Sequence, residues 1–143
     1  PFIINQNRSS IFDRTIESNG LKDTAARLHK GIITFSPLAQ GLLTDRYLHG
    51  IPADSRVHTD GRFLKETDLT QEKLAKIRAL NEMAAARGQT LAEMALAWLL
   101  SHEEITTVLI GASKTQQILD NIKAVQNTSF TAEELAEIDR ISK

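Results

Sequence analysis

No cysteine occurs among the 143 residues. That excludes disulfides, thiolate zinc sites and cysteine nucleophiles, and it fits a reducing compartment. Neither sign of charge is in excess: 17 Lys and Arg stand against 18 Asp and Glu, a formal net charge of -1. A general electrostatic grip on nucleic acid or an anionic membrane needs a basic surplus, so neither is an expected partner. No apolar run approaches the roughly 18–20 residues of a membrane span. No basic segment followed by an apolar core marks a signal peptide, and a cytoplasmic setting is expected. Metal-ligand spacing is missing too. His29, His49, His58 and His102 are scattered, and His102-Glu103-Glu104 meets Thr106 where a metal helix needs its second His. The histidines read as solvated. No Gly-x-Gly-x-x-Gly supports a Rossmann site, and no fixed repeat period is present.

What is there is an ordinary folded composition, 41% hydrophobic and 24% charged. Phe2 to Asn5 is a short apolar run ending in amides. Leu21 to Lys30 reads as a helix with Leu21, Ala25 and Leu28 on one face, stopped by Gly31. Gly31 to Phe35 suits a strand buried on both faces, ended by Pro37. Gly50 to Asp68 lacks periodicity and reads as a long loop of the kind that carries function. Thr70 to Arg87 is helical through Leu74, Ile77, Leu80 and Ala84. Thr90 to Glu93 is a capping box, opening a helix whose Leu91, Met94, Ala95, Trp98 and Leu99 form one core face. Thr106 to Ile110 is a second buried-strand run. Ile118, Leu119, Ile122 and Val125 mark another helix. Thr131 to Glu134 is a second capping box, with Leu135 and Ile138 inward in the helix it opens. The order β-α-β-loop-α-α-β-α-α implies parallel βα units. Three such strands cover a poor core, whereas a closed eight-stranded barrel takes about 250 residues. The expectation is α/β: the last three βα units of a (β/α)8 barrel, as one partial domain over residues 1–143. The start at Pro1 without an initiator Met leads to the expectation of roughly 150–190 further residues upstream.

In parallel α/β folds ligands lie at the C-terminal ends of the strands. The first strand is followed by Asn5 and Gln6, the second by Ser36-Pro37-Leu38-Ala39-Gln40-Gly41, the third by Gly111-Ala112-Ser113-Lys114. These are amides, hydroxyls and small residues without an acid–base pair, a set suited to holding a polar ligand. Gly111 and Ala112 allow close backbone approach. Ser113 can cap a helix whose N-terminus can hold a phosphate, with Lys114 adding charge. Gln117 and Asn121, at i and i+4, can reach one planar group; a plain N-cap with solvated amides is the competing reading. A phosphate-binding P-loop is rejected, because Ser113 stands where the glycine before the Lys is needed. Asp68, Glu72, Glu82 and Glu93 read as helix surface rather than catalytic groups.

Three ordered segments carry a resemblance: Ile3-Ile4-Asn5-Gln6; Ile33 to Thr44 followed by Tyr47 and Ile51 to Arg56; and Val108 to Ser113 with Gln117 and Asn121. Together they resemble the sixth, seventh and eighth strand regions of aldo-keto reductases. The likeness is nearest to the branch of bacterial L-glyceraldehyde 3-phosphate reductases and potassium-channel β subunits. The resemblance implies a (β/α)8 barrel that binds NADPH and reduces a small aldehyde or ketone, of the glyceraldehyde 3-phosphate or methylglyoxal kind. It implies that Gln6 bonds the nicotinamide carboxamide and that Phe35 stacks on its ring; plain core packing of Phe35 is the alternative. Ser36, Pro37, Leu38, Gln40 and Gly41 would line the pyrophosphate, and Arg46 and Arg56 would contact phosphates. Gly111, Ser113, Lys114 and Gln117 would hold the 2′-phosphate end, and Asp120 and Asn121 the adenine. Two positions depart from the family pattern: Ser9 replaces a Tyr, and Asp120 replaces a Glu one methylene longer. The family's catalytic Asp, Tyr, Lys and His have no match here, and Tyr47 is not that tyrosine. The chain is thus expected to be inactive alone. Its exposed edge strands favour homo-oligomers. The alternative function is a non-enzymatic NADP-binding or regulatory module on the same fold.

Overall fold

A computed structural model describes residues 2–51, 67 and 69–143. Strands β1 (Ile4–Arg8), β2 (Gly31–Phe35) and β3 (Ile105–Val108) form one parallel sheet in the order β1-β2-β3. Helices α1 (Thr15–Ser18) and α2 (Leu21–Arg27) join the first two strands. Two 3-10 turns, Ala39–Gly41 and Asp45–Tyr47, precede α3 (Gln71–Ala86) and α4 (Leu91–Leu100), which lead to β3. After β3 come α5 (Thr115–Asn121), a 3-10 turn (Ile122–Gln126) and α6 (Ala132–Ser142). The expected alternation is present, with α1 as an added turn of helix. Both capping boxes form: Thr90 and Glu93 exchange bonds of 3.1 and 3.2 Å, Thr131 and Glu134 bonds of 2.8 and 3.1 Å. Each satisfies two of the N–H groups that a helix start leaves orphaned.

The core lies on the helix side of the sheet. Ile77, Leu80 and Ala84 of α3 meet Leu91, Met94, Ala95, Trp98 and Leu99 of α4, with Ile138 and Ile141 of α6. Leu42, Leu43 and Tyr47 come into the same cluster from the chain after β2. A second cluster, Ile16, Ala25, Ile32 and Ile105, seats α1 and α2 on the sheet. Full burial of each large side chain stabilises by about 1.5–3 kcal/mol. Arginines tie the layer together. Arg14 stacks 4.2 Å from the Trp98 ring and donates to Asp139 (3.0 Å) and Ser142 (3.2 Å). Arg87 lies 3.8 Å over Phe130, bonds the Ser129 carbonyl at 2.8 Å and pairs with Glu134 at 2.6 Å.

Several boundaries and faces differ from the sequence reading. β1 begins at Ile4 and runs to Arg8, so Gln6 is mid-strand and the Phe2–Asn5 run is not the strand. α2 stops at Arg27, and Leu28 beyond it is 47% exposed. β2 has the expected bounds but is buried on alternate residues only, Ile32 and Thr34 inside, because among the described residues no layer covers its other face. β3 begins a residue earlier and ends two earlier than expected, and only Ile105 is buried in it. A bulge between the Ile32–Ile105 and Ile33–Thr107 pairs makes Thr106 an extra residue. The apolar residues of the α5 region face outward: Ile118, Leu119, Ile122 and Val125 are 46–67% exposed. Leu135 is likewise 37% exposed, whereas Ile138 is buried. His102 is not simply solvated, since its ring packs edge-on to Trp98 at 4.5 Å. Among the described residues no helix is long and apolar enough to cross a membrane. The expected loop at 50–68 lies, apart from Gly50, Ile51 and Thr67, outside the described residues, as do Arg56 and His58.

Candidate functional site

Register sorts the strand residues onto two faces. Asn5 pairs with Ile32 and Asn7 with Thr34, and both β2 residues are fully buried towards the helices. The Asn7 amide closes on the Asn5 side-chain oxygen at 3.1 Å. Thr34 also takes the Leu109 N–H on its carbonyl at 2.8 Å, while its own buried hydroxyl has no partner among the described residues. The other face carries Gln6 beside Ile33 and Thr107, and Arg8 beside Phe35. Gln6, Arg8 and Thr107 are exposed and Phe35 is half-buried. Gln6 and Phe35 therefore share the open face of neighbouring strands. The Arg8 guanidinium lies 5.9 Å over the Phe35 ring.

The chain leaves β2 through a tight coil. Ser36, Ala39 and Gln40 have φ of 55°, 48° and 61°, and Gly41 has φ of 94°. The left-handed region costs a non-glycine residue about 1–2 kcal/mol, so the coil must be held. Bonds from Ala39 N–H to the Ser36 carbonyl (3.1 Å) and from Gly41 N–H to the Leu38 carbonyl (2.9 Å) hold it. The Gln40 amide reaches the Ser36 hydroxyl at 3.3 Å, and Pro37 is buried beneath. Arg46 is exposed in the next turn, its N–H on the Thr44 hydroxyl at 3.2 Å. Tyr47, 1% exposed, belongs to the core and not to this surface.

After β3, Gly111 to Leu119 are all exposed. The Leu109–Thr34 bond makes this segment leave from the same end of the sheet as the coil after β2. Ser113 does not cap α5; Lys114 occupies the N-cap position. Instead, one atom gathers the free donors. The Gln117 side-chain oxygen accepts from Ser113 N–H (2.8 Å), Lys114 N–H (3.1 Å) and the Ser113 hydroxyl (3.2 Å). Gln117 turns back to its own helix start, and Asn121 is buried. Asp120 is held by Lys123 (2.8 Å) and Gln116 (3.0 Å). The Lys123 hydrogen bond keeps its carboxyl below the usual carboxylate range.

Sequence reasoning missed Arg8. The signal available was the i, i+2 spacing from Gln6, which places both on one face of a strand, and the misplaced end of β1 hid it. Among the described residues no group of three or more His, Asp and Glu is placed to hold a metal ion.

The comparisons with known proteins bear on family and fold. The sequence profile described as the aldo/keto reductase family matches residues 1–143. The chain is 48% identical over 143 residues to an L-glyceraldehyde 3-phosphate reductase of Escherichia coli O157:H7, covering 98% of this chain and 41% of that protein. It is 34% identical over 125 residues to a probable voltage-gated potassium channel subunit beta of Oryza sativa subsp. japonica, covering 86% of this chain and 38% of that one. Its structure is similar to the glycerol dehydrogenase AKR11B4 from Gluconobacter oxydans, with a TM-score of 0.79 at 26% identity, over 99% of this chain and 42% of that chain. It is also similar to the holo form of the aldo-keto reductase AKR11C1 from Bacillus halodurans, with a TM-score of 0.73 at 27% identity, over 99% and 43% of the two chains. The chain spans about 41% of the length of the curated reductase it matches. Its three parallel βα units are accordingly part of a (β/α)8 barrel.

Proposed function

The chain belongs to the aldo/keto reductase family, and we propose that it provides the nicotinamide-dinucleotide-binding part of an NADPH-dependent reductase of small aldehydes or ketones. The observation that carries this reading is the pairing of an exposed amide and an aromatic ring, Gln6 and Phe35, on the open face of adjacent strands. The donor set at the other end fits a phosphorylated ligand. Two N–H groups and a hydroxyl already converge on one oxygen acceptor, that of Gln117, and the space where a Gly111 side chain would be is open. When bound, the dinucleotide supplies the hydride. Gln6 would hold its carboxamide, and the Phe35 ring would fix the plane of the nicotinamide. Ser36, Gln40 and Gly41 would line the pyrophosphate, and Ser113, Lys114 and Gln117 the 2′-phosphate end. The site's own chemistry is positional: no described residue on the open face is placed as a proton donor, and a hydride acceptor also needs one.

The second reading is a non-enzymatic binding module, favoured by the similarity to a potassium channel β subunit. One experiment separates them. Trp98 is buried in the helix-side core, so cofactor fluorescence is the readout to follow. The full protein containing this chain is titrated with NADPH and then given glyceraldehyde, glyceraldehyde 3-phosphate and methylglyoxal. Binding that Gln6→Ala weakens about five- to tenfold, the worth of one hydrogen bond, together with NADPH oxidation, is the expected result. Binding without turnover favours the module; no binding refutes both.

A further inference from the structure

We propose that Arg8 selects an anionic carbonyl substrate, one carrying a phosphate or carboxylate beside the group to be reduced. The inference rests on the dinucleotide reading above and goes on to name the substrate class. Arg8 is the last residue of β1, exposed and two residues from Gln6 on the same face. Its guanidinium stands over the Phe35 ring at 5.9 Å. Among the described residues no carboxylate pairs with it, whereas Arg14 has Glu17 and Asp139 and Arg87 has Glu134. The next two residues are small and buried, Ser9 and Ser10, and the chain turns inward through paired bonds between Ser10 and Asp13. Arg8 is therefore the long side chain that β1 leaves at the surface of this end.

Sheet order decides which anion it meets. A dinucleotide running from Gln6 and Phe35 towards Ser113 crosses from β1 and β2 to β3. Ser36, Gln40, Gly41, Ser113 and Lys114, expected phosphate contacts among the described residues, come after β2 and β3, whereas Arg8 stands on β1. An anion at Arg8 belongs to something beyond the nicotinamide end, which is where a carbonyl substrate must sit to receive hydride. A planar guanidinium resting on an aromatic face is suited to grip a phosphate or carboxylate through two parallel bonds.

The test uses the full protein and compares kcat/KM for glyceraldehyde 3-phosphate, succinic semialdehyde and uncharged glyceraldehyde. Arg8→Ala is expected to lower the ratio of phosphorylated to uncharged substrate about 10- to 100-fold, mostly through KM, as for one charged hydrogen-bonded contact. Arg8→Lys should recover part of it, keeping charge without the fork. A parallel fall for succinic semialdehyde assigns the contact to anions in general; a fall confined to glyceraldehyde 3-phosphate assigns it to phosphate. An unchanged ratio overturns the proposal while leaving the dinucleotide reading intact. A wild-type protein that binds NADPH but reduces none of the three overturns the reductase reading, and this inference with it.

Discussion

The two faces of the sheet treat the same residue types in opposite ways. On the helix face Arg14 is saturated: it bonds the Ile11 carbonyl, Glu17, Asp139 and Ser142 and covers Trp98. On the open face Arg8 rests on Phe35 alone among the described residues. Trp98 is 2% exposed and Phe35 only half-buried. One face is thus closed by its own contacts and carries the stability. The other leaves amide, guanidinium and ring without a covering layer among the described residues. The exposed apolar residues follow a third pattern. Phe2 and Ile3 precede β1, at one edge of the sheet, and Leu109, Ile110 and the α5 stripe follow β3, at the other. Those edges are where a (β/α)8 barrel places its neighbouring units.

The sharpest way to break the comparison is through the two aromatics. Trp98→Ala should cost about 3–5 kcal/mol, as a large buried aromatic does, read as a shift in the denaturant midpoint of the full protein. Phe35→Ala should cost less than about 1 kcal/mol, within the ordinary range for a partly exposed site, while weakening NADPH binding. Equal losses of stability would make Phe35 plain core and end the distinction between the faces.

The arginines give the next largest difference. Arg87→Ala breaks a 2.6 Å pair to Glu134 and a 2.8 Å bond to the Ser129 carbonyl, both at a side chain only 7% exposed. A loss of about 1.5–3 kcal/mol is expected for such charged contacts. Arg8→Ala should stay within about 0.5 kcal/mol, as for an exposed residue without ionic partners. Thermal unfolding of both variants measures this. A comparable loss at Arg8 would make it a structural residue and not a recognition one.

Why the helix face was readable in the sequence, and the open face less so, follows from the same contrast. β2 is legible because Gly31-Ile32-Ile33-Thr34-Phe35 is β-branched between a glycine and a proline. α4 is legible because Thr90 and Glu93 announce its start and its apolar spacing fits one face. β1 is harder. Its residues, Ile-Asn-Gln-Asn-Arg, are mostly polar, since Asn5 and Asn7 bond each other and Gln6 and Arg8 face the open side. An apolar-run criterion therefore shifts it upstream. Periodicity in α5 correctly marks a helix, yet it cannot say what covers the apolar stripe. The Gln117 bonds to Ser113 and Lys114 were hidden because Lys114 is not a capping residue by type. The scatter of the histidines hides that His102 packs on Trp98, four residues earlier.

Helix starts give a smaller contrast. Thr131→Ala should cost about 1 kcal/mol by removing the cap that holds α6 onto the core. Lys114→Ala should stay within about 0.5 kcal/mol, because the Lys114 side chain makes no cap bond to α5. Urea midpoints of the two variants measure the difference. A reversal would place the structural weight on the segment after β3.

The smallest expected effect is the pH response of His102, where burial and charge oppose each other. Its Nδ1–H donates to the Trp98 carbonyl at 2.8 Å, and Nε2 is 3.7 Å from Glu17. Burial pushes the imidazole below its ordinary value of 6.5, and the Lys22 charge adds to this. The Trp98 carbonyl, Glu17 and Glu104 pull the other way without overcoming it. A depressed imidazole means that, as pH falls below about 6.5, the unfolded chain takes up a proton before the folded one does. This contribution to stability is therefore fully present above that pH and declines through the window down to the lower folded value. Comparing wild type with His102→Gln at pH 7.5 and 5.5 isolates it from the carboxylates shared by both proteins. The wild type should lose more stability on acidification than the variant. If it loses less, the attraction of Glu17 for the imidazolium exceeds the cost of burial, and the helix face is less thoroughly desolvated than its packing indicates.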